Sequence, residues 1–284
     1  MIYNYLELNK SQLEQYNEFI NRNKIHKVSM EDMDKELKCK EFDYGRGVLV
    51  KTQEGLIIGT TTIILLECNT KGIAYIIKSD IDESIDNKTR VLWEIIKEAK
   101  NIGRNNGANE IFLGTKEDSI FDILKINKQY SAIRMILEDR TIKYSPLDLV
   151  KLSEENKKEY LNIYNDAFEE VPHGATLTEN EVDEYISKAN ENYHYIVKGN
   201  NENIGFIKLY IKDGVGEFDI GLIKSARRKG YGKLLLETAI GLLNDNKVKE
   251  IGLIVITKNT IAYNMYAKRG FTQSKVTSNW FQLD

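Results

Sequence analysis

Along the chain, hydrophobic residues recur with two periods, one of strands and one of helices, and the succession of the two comes round twice. Tyr3 to Leu8 reads as a strand, and Ser11 to Asn21 as a helix that turns Leu13, Tyr16, Phe19 and Ile20 inward. Ser29, with Asp32 three residues on, opens a further short helix. Residues 47–66 (GVLVKTQEGLIIGTTTIILL) hold two β-branched runs about a Gln53-Glu54-Gly55 turn, the pattern of a hairpin. Gly72 to Lys78 predicts a strand, and Lys88 to Ile102 an amphipathic helix carrying Val91, Leu92, Ile95, Ile96 and Ala99. Asn109 to Gly114 then predicts a strand, and Ser119 to Ile126 a helix.

Near residue 146 the pattern restarts. Asp148 to Leu152 is strand-like, and a helix follows through Tyr160, Ile163, Tyr164 and Phe168. His194 to Lys198 and Asn203 to Tyr210 form a hairpin about Gly199-Asn200-Asn201. Aligning NEIFLG near Asn109 with KEIGLI near Lys249 gives a displacement of roughly 140 residues. Element order therefore predicts two copies of one α/β (α+β) fold, residues 1–145 and 146–284, with the boundary marked by Pro146.

Composition agrees with two ordinary globular domains. The 284 residues are 42% hydrophobic and 29% charged, and the net charge of −3 gives no global attraction to nucleic acid or an anionic membrane. Cys39 and Cys68 stand far apart without metal-site spacing, and there are only three histidines, so no metal is expected. No apolar run approaches a membrane span and the N-terminus lacks a leader's apolar core, so a cytoplasmic location is expected.

The chemistry concentrates between Phe218 and Leu243. An apolar strand ends at Ile223, a basic turn follows (Lys224, Ser225, Ala226, Arg227, Arg228, Lys229, Gly230, Tyr231, Gly232), and Leu234, Leu235, Ala239, Leu242 and Leu243 then recur at helical spacing. A helix start carries unpartnered N–H groups and the positive end of the dipole, and glycine lets an anion approach it. The dinucleotide pattern fails because Leu235 stands where its third glycine belongs, and the P-loop fails because Leu234 follows Lys233. Taken alone, the turn reads equally as a solvated connection.

A second stretch follows. After the apolar run Ile251 to Thr257, the segment NTIAYNMYAKRGF puts Ala262 and Tyr266 one turn apart on a helix face. R-x-x-G-x-G at Arg227, Gly230 and Gly232, followed by N-x-x-A-x-x-x-Y-x-x-x-G-F at Asn259, Ala262, Tyr266, Gly270 and Phe271, resembles the GNAT superfamily of acyl-CoA-dependent N-acyltransferases. The resemblance implies two tandem domains, each a mixed, mostly antiparallel sheet splayed between two parallel strands and flanked by helices. It also implies a first copy without cofactor binding. There the segment equivalent to the turn, Asp80 to Thr89, has four acidic residues and no glycine, and the tyrosine position falls near Ile126.

The resemblance further implies that residues 146–284 carry the catalytic domain and transfer an acetyl group from acetyl-CoA to a primary amine by direct attack. The amides of Arg228, Lys229, Gly230, Tyr231, Gly232 and Lys233, with Arg227, would hold the pyrophosphate. Leu222 and Ile223 would pair with the pantetheine arm, Asn259 and Ala262 would border it, and Tyr266 would give a proton to the leaving thiolate. An alkyl amine is only about one part in a thousand neutral at pH 7, so a base is needed. Glu217 and Asp219 alternate onto one strand face and are the candidates, or are simply that strand's polar face. Glu169, Glu170 and His173, with Trp280 and Phe281, would border the acceptor, a small molecule or else a protein amine; Glu169 and Glu170 read equally as ordinary helix-end carboxylates, and His173 reads more readily as a loop residue than as a base. A reading of another class is a non-catalytic acyl-CoA-binding module.

Overall fold

The computed structural model describes residues 1–116, 126–171, 173–174, 176–188 and 193–283. The elements in chain order are β1 (Ile2–Asn4), α1 (Lys10–Asn21), α2 (Met30–Leu37), β2 (Val48–Gln53), β3 (Leu56–Ile64), α3 (Cys68–Lys71), β4 (Ile73–Ile81), α4 (Lys88–Asn105), β5 (Glu110–Thr115) and β6 (Lys128–Leu137). There follow β7 (Asp148–Lys151), α5 (Lys157–Phe168), α6 (Glu179–Ser187), β8 (His194–Gly199), β9 (Glu202–Lys212), β10 (Val215–Leu222), α7 (Tyr231–Asp245), β11 (Glu250–Ile256), α8 (Thr260–Arg269) and β12 (Phe271–Gln282). The helix expected over Ser119 to Ile126 falls almost wholly outside the described residues. Among those described, no helix is long and apolar enough to cross a membrane.

The chain divides into two compact units, Met1–Tyr130 with Ser278–Asp284, and Ser131–Thr277. This differs from a cut at residue 145, and the difference lies in the last strand of each half. Ser131 to Leu137 of β6 joins the second unit, where β6 pairs antiparallel with β11 from Ile251↔Leu137 to Ile256↔Ala132. The end of β12 completes the first unit, pairing antiparallel with β5 from Asn279↔Thr115 to Gln282↔Phe112. Neither partner lies nearby in sequence, so no local pattern announced the exchange.

In the first unit the sheet runs β1-β2-β3-β4-β5-β12. The expected first strand stops early because Asn4 accepts a hydrogen bond from Leu6 N–H at 3.0 Å and caps a short 3₁₀ turn. Ser29 caps α2 as expected, accepting from Asp32 N–H at 3.0 Å. One apolar layer holds Ile95, Ile96 and Ala99 of α4 against Ile63, Ala74, Ile76 and Ile111, and Phe281 and Leu283 lie in the same cluster. Trp280 sets its ring edge against Tyr75 at 5.6 Å between centroids and stacks on Tyr130 at 6.3 Å. Trp280 and Phe281 are thus core residues of the first unit, which corrects their expected place beside the acceptor.

In the second unit the order is β12-β6-β11-β10-β9-β8-β7. One face buries Leu235, Leu236, Ala239, Ile240 and Leu243 of α7 against Val197, Ile207, Leu209 and Phe218. The other packs Tyr160, Ile163 and Tyr164 of α5 against Ile196 and Phe206. A buried ion pair, Arg269 with Glu237, ties α8 to α7, and Arg269 also donates to the carbonyls of Asp139 at 3.0 Å and Thr141 at 2.8 Å.

Candidate functional site: a parted strand pair beside an amide cradle

The site begins where β10 and β11 separate. These parallel strands pair only at Val215↔Glu250, Gly216↔Ile251 and Glu217↔Gly252, although β10 runs on to Leu222 and β11 to Ile256. On its far side β10 stays paired with β9 throughout, and Ile223 N–H donates to the Ile204 carbonyl at 3.0 Å. Antiparallel hydrogen bonding alternates, so Gly221 and Asp219 turn their backbone groups toward β9. Those of Leu222, Ile220 and Phe218 turn toward the opening. That side of β10 is a strand edge left open beyond Glu217, with the Leu222 N–H directed into the opening.

The turn that follows exposes a row of amides. Arg228 and Gly230 have φ of 62° and 86°, and Gly230 stands at the N-cap of α7 without a side-chain cap. Among the described residues the N–H groups of Arg228 through Lys233 have no hydrogen-bond partner. A run of free amides at a helix start is an anion cradle, which fits the pyrophosphate of a coenzyme A. Gly232 serves packing as well, since a Cβ there would lie 3.2 Å from the Met265 sulfur of α8.

The cations of the turn divide into two sets. Arg227 braces the turn: its guanidinium donates to the Leu222 carbonyl at 3.3 Å, the Ala167 carbonyl at 3.0 Å and Glu170 at 2.8 Å. Lys224 pairs with Glu169, and its N–H donates to Asp166 at 2.7 Å. Glu169 and Glu170 are therefore joined to the turn by ion pairs. Arg228 and Lys229 are exposed and form no ion pair or side-chain hydrogen bond among the described residues. Lys233 places its ammonium 4.5 Å from the centre of the Tyr144 ring, and Tyr231 accepts a hydrogen bond from Asn200 at 3.0 Å.

On α8, Asn259 uses its side-chain oxygen to cap the helix, accepting from Ala262 N–H at 3.2 Å. Its amide nitrogen has no partner among the described residues. Tyr266 is 8% exposed, its ring between Phe218 at 6.4 Å and Phe271 at 5.9 Å. Burial first, and then the charge of Asp219, push its hydroxyl pKa well above the ordinary value, so it keeps its proton at neutral pH. Phe218 is the first residue of β10 past the last pair with β11, so the tyrosine packs at the mouth of the opening.

The two carboxylates on the opposite face of β10 have different surroundings. Glu217 accepts from Arg134 Nε at 2.7 Å, and Arg134 also holds Glu250 at 2.7 Å. Asp219 accepts from the Tyr210 hydroxyl at 2.9 Å. Burial raises the Asp219 pKa, opposed by the Tyr210 hydrogen bond and the charge of Lys208. His173 is held neutral, its pKa lowered to about 4 by burial and by Lys258. Sequence reasoning missed Arg134, Lys208, Tyr210 and Tyr185. Lys208 had a signal, a single cation inside the apolar run Ile204 to Ile211, whereas Arg134 lies on a strand that belongs to the first half by sequence. Among the described residues no group of His, Cys, Asp and Glu is placed to hold a metal.

Comparison with known proteins bears on this geometry. Residues 157–271 match the profile described as "Acetyltransferase (GNAT) family". No curated protein sequence matches the chain. Among solved structures it is similar to an acetyltransferase from the GNAT family of Colwellia psychrerythraea, with 11% identity, full coverage of both chains and a TM-score of 0.58. A putative acetyltransferase from Pyrococcus horikoshii is 17% identical over 100% of this chain and 88% of that one, with a TM-score of 0.59. A tandem GNAT protein from the clavulanic acid biosynthesis pathway is 10% identical over 99% and 97%, with a TM-score of 0.58. Identities this low speak for a shared fold, while the profile covers the parted strands, the amide cradle and Tyr266. Residues 157–271 are a domain of the acetyltransferase family called GNAT.

Proposed function

We propose that the second unit transfers an acetyl group from acetyl-CoA to a primary amine by direct attack, with no acyl-enzyme. The observation that carries this is the juxtaposition of an unpartnered amide row with a strand edge left open after three residue pairs. Acetyl-CoA supplies an activated thioester: the amine nitrogen forms a bond to its carbonyl carbon, the C–S bond breaks, and the sulfur leaves with its bonding pair.

The chain's residues then have distinct tasks. The amides of Arg228 to Lys233 and the side chains of Arg228 and Lys229 bind the pyrophosphate. Leu222 and Ile220 pair with the arm, Asn259 offers its free amide nitrogen, and the Leu222 N–H stabilises the oxyanion. Tyr266, a neutral phenol, donates toward the leaving sulfur. Asp219 is the better base of the two candidates. Burial raises its proton affinity, whereas Glu217 is already engaged by Arg134. The division of the chain into a first copy without cofactor binding and a catalytic second copy belongs to the same proposal.

The test mixes the full chain with acetyl-CoA and a broad panel of amines while free thiol is followed, alongside calorimetric titration with CoA. Thiol release that depends on an amine supports the proposal. CoA uptake with no release from any amine makes the domain a binding module instead. No uptake at all removes the cradle from the argument.

A further inference from the structure

Beside Asp219 lies a cation that the transfer reaction itself does not call for. Lys208 of β9 stands directly opposite Asp219 in the antiparallel register, so both side chains lie on the face covered by α5 and α6. Its ammonium donates to the Tyr185 hydroxyl at 2.9 Å and lies 4.4 Å from the centre of the Tyr185 ring and 4.8 Å from that of Tyr210. Two aromatic faces and a carboxylate would recognise a cationic ligand. Here the protein's own lysine occupies that cage.

The lysine makes no direct ion pair among the described residues. Burial lowers its pKa, opposed by the charges of Asp219 and Glu181. The polar groups around it each have a further partner. Asp219 accepts from Tyr210. Glu181 accepts from the Thr178 N–H at 2.7 Å and hydroxyl at 2.6 Å as a capping box. His194, the register partner of Lys208 on β8, is stacked on Tyr185 at 4.1 Å and is kept neutral. A half-buried ammonium facing ring walls, with a carboxylate one strand away, suits a ligand that carries both charges.

We propose that Lys208 is the anion-recognising residue of the acceptor site and that the acceptor is an amine that also bears a carboxylate. The amine faces Asp219 and the carboxylate pairs with Lys208. This rests on the acetyl-transfer reading above and narrows its acceptor to zwitterions, with simple cationic amines excluded by charge.

The test compares glycine, β-alanine and 4-aminobutyrate with methylamine, ethylamine and propylamine, and tyrosine with tyramine, each pair differing by a carboxylate. In the wild-type protein the carboxylate-bearing member has the higher kcat/KM by about 10- to 100-fold. Lys208→Met abolishes that preference and raises kcat/KM for the plain amines, because the vacated rings accept a cation, while Lys208→Arg retains it. Equal rates within the wild-type pairs, or a preference unchanged in Lys208→Met, overturn the inference and leave acetyl transfer standing. The same pairs are scored by their shift of the melting temperature of the CoA-loaded protein, which needs no turnover. A shift produced by the carboxylate member and lost in Lys208→Met supports the inference, and its absence overturns it whatever the thiol assay shows.

Discussion

The turn after β4 and the turn after β10 hold the same place in the element order of their units and have opposite chemistry. Both follow a strand that pairs in parallel with a later one for only part of its length, four pairs for β4 with β5 and three for β10 with β11. After β4 the turn is acidic, and two of its amides turn inward on Asp82: Ser84 N–H donates to the Asp82 carboxylate at 2.8 Å and Ile85 N–H to the Asp82 carbonyl at 3.3 Å. The Ser84 bonds hold the Asp82 carboxyl below its usual range. After β10 the amides stay free, Gly230 takes a left-handed conformation, and Arg228 and Lys229 face solvent. Parted strands and a helix start are thus common to both units, and the turns differ in what they add to them: carboxylates and no glycine after β4, a left-handed glycine and cations after β10.

Four measurements would break or sharpen that contrast. The largest effect is expected of Tyr266→Phe, which removes the proton donor without changing the ring: kcat falls by about ten- to a thousandfold while calorimetric CoA affinity holds. Unchanged turnover would take Tyr266 out of the mechanism. Phe281→Ala tests whether the last strand belongs to the first unit. Truncating a buried phenylalanine costs about 3–4 kcal/mol, expected as earlier melting of the first unit with CoA binding retained. Loss of CoA binding together with stability would show that the units do not unfold separately.

Reversing the two free cations, Arg228→Glu with Lys229→Glu, weakens CoA binding by about 10- to 100-fold and flattens its salt dependence. Asp82→Ala in the first unit's turn should leave binding as it was, and an equal loss there would erase the contrast. The smallest effect is expected of Asp219→Asn, and it has two signs. A folded-state pKa raised by burial means that stability falls as pH rises through the titration of Asp219, so the neutral amide melts at or above the wild-type temperature at pH 7. Activity moves the other way: turnover drops by about tenfold or more and its acidic limb disappears, whereas Glu217→Gln changes it less. A lower melting temperature would assign Asp219 a structural role instead.

Much of this was legible because it is local. The strand, basic turn and helix around Gly230 follow from residues within one turn of one another, as do the Asn259 cap and the face shared by Ala262 and Tyr266. Hairpin β8–β9 follows from Asn200 and Asn201, which accept φ of 52° and 64°.

Pairing across the sheet is a different matter, because a side chain's partner is set by register between segments that lie far apart in the chain. The alternation that put Glu217 and Asp219 on one face did not say that Arg134 would claim the first and Tyr210 the second. Nor did it show that Arg227 and Lys224 would be spent on Glu170 and Glu169. Which final strand completes which unit was likewise decided by tertiary structure. Ala132 to Leu137 and Asn279 to Gln282 each pair with a strand of the other half of the sequence, more than a hundred residues away. The sequence by itself determined the local conformations and the chemistry each turn carries, since short-range sterics, capping and periodicity decide those. Only the folded chain decided which charges remain free to meet a ligand, because a charge is free only when no distant residue has reached it first.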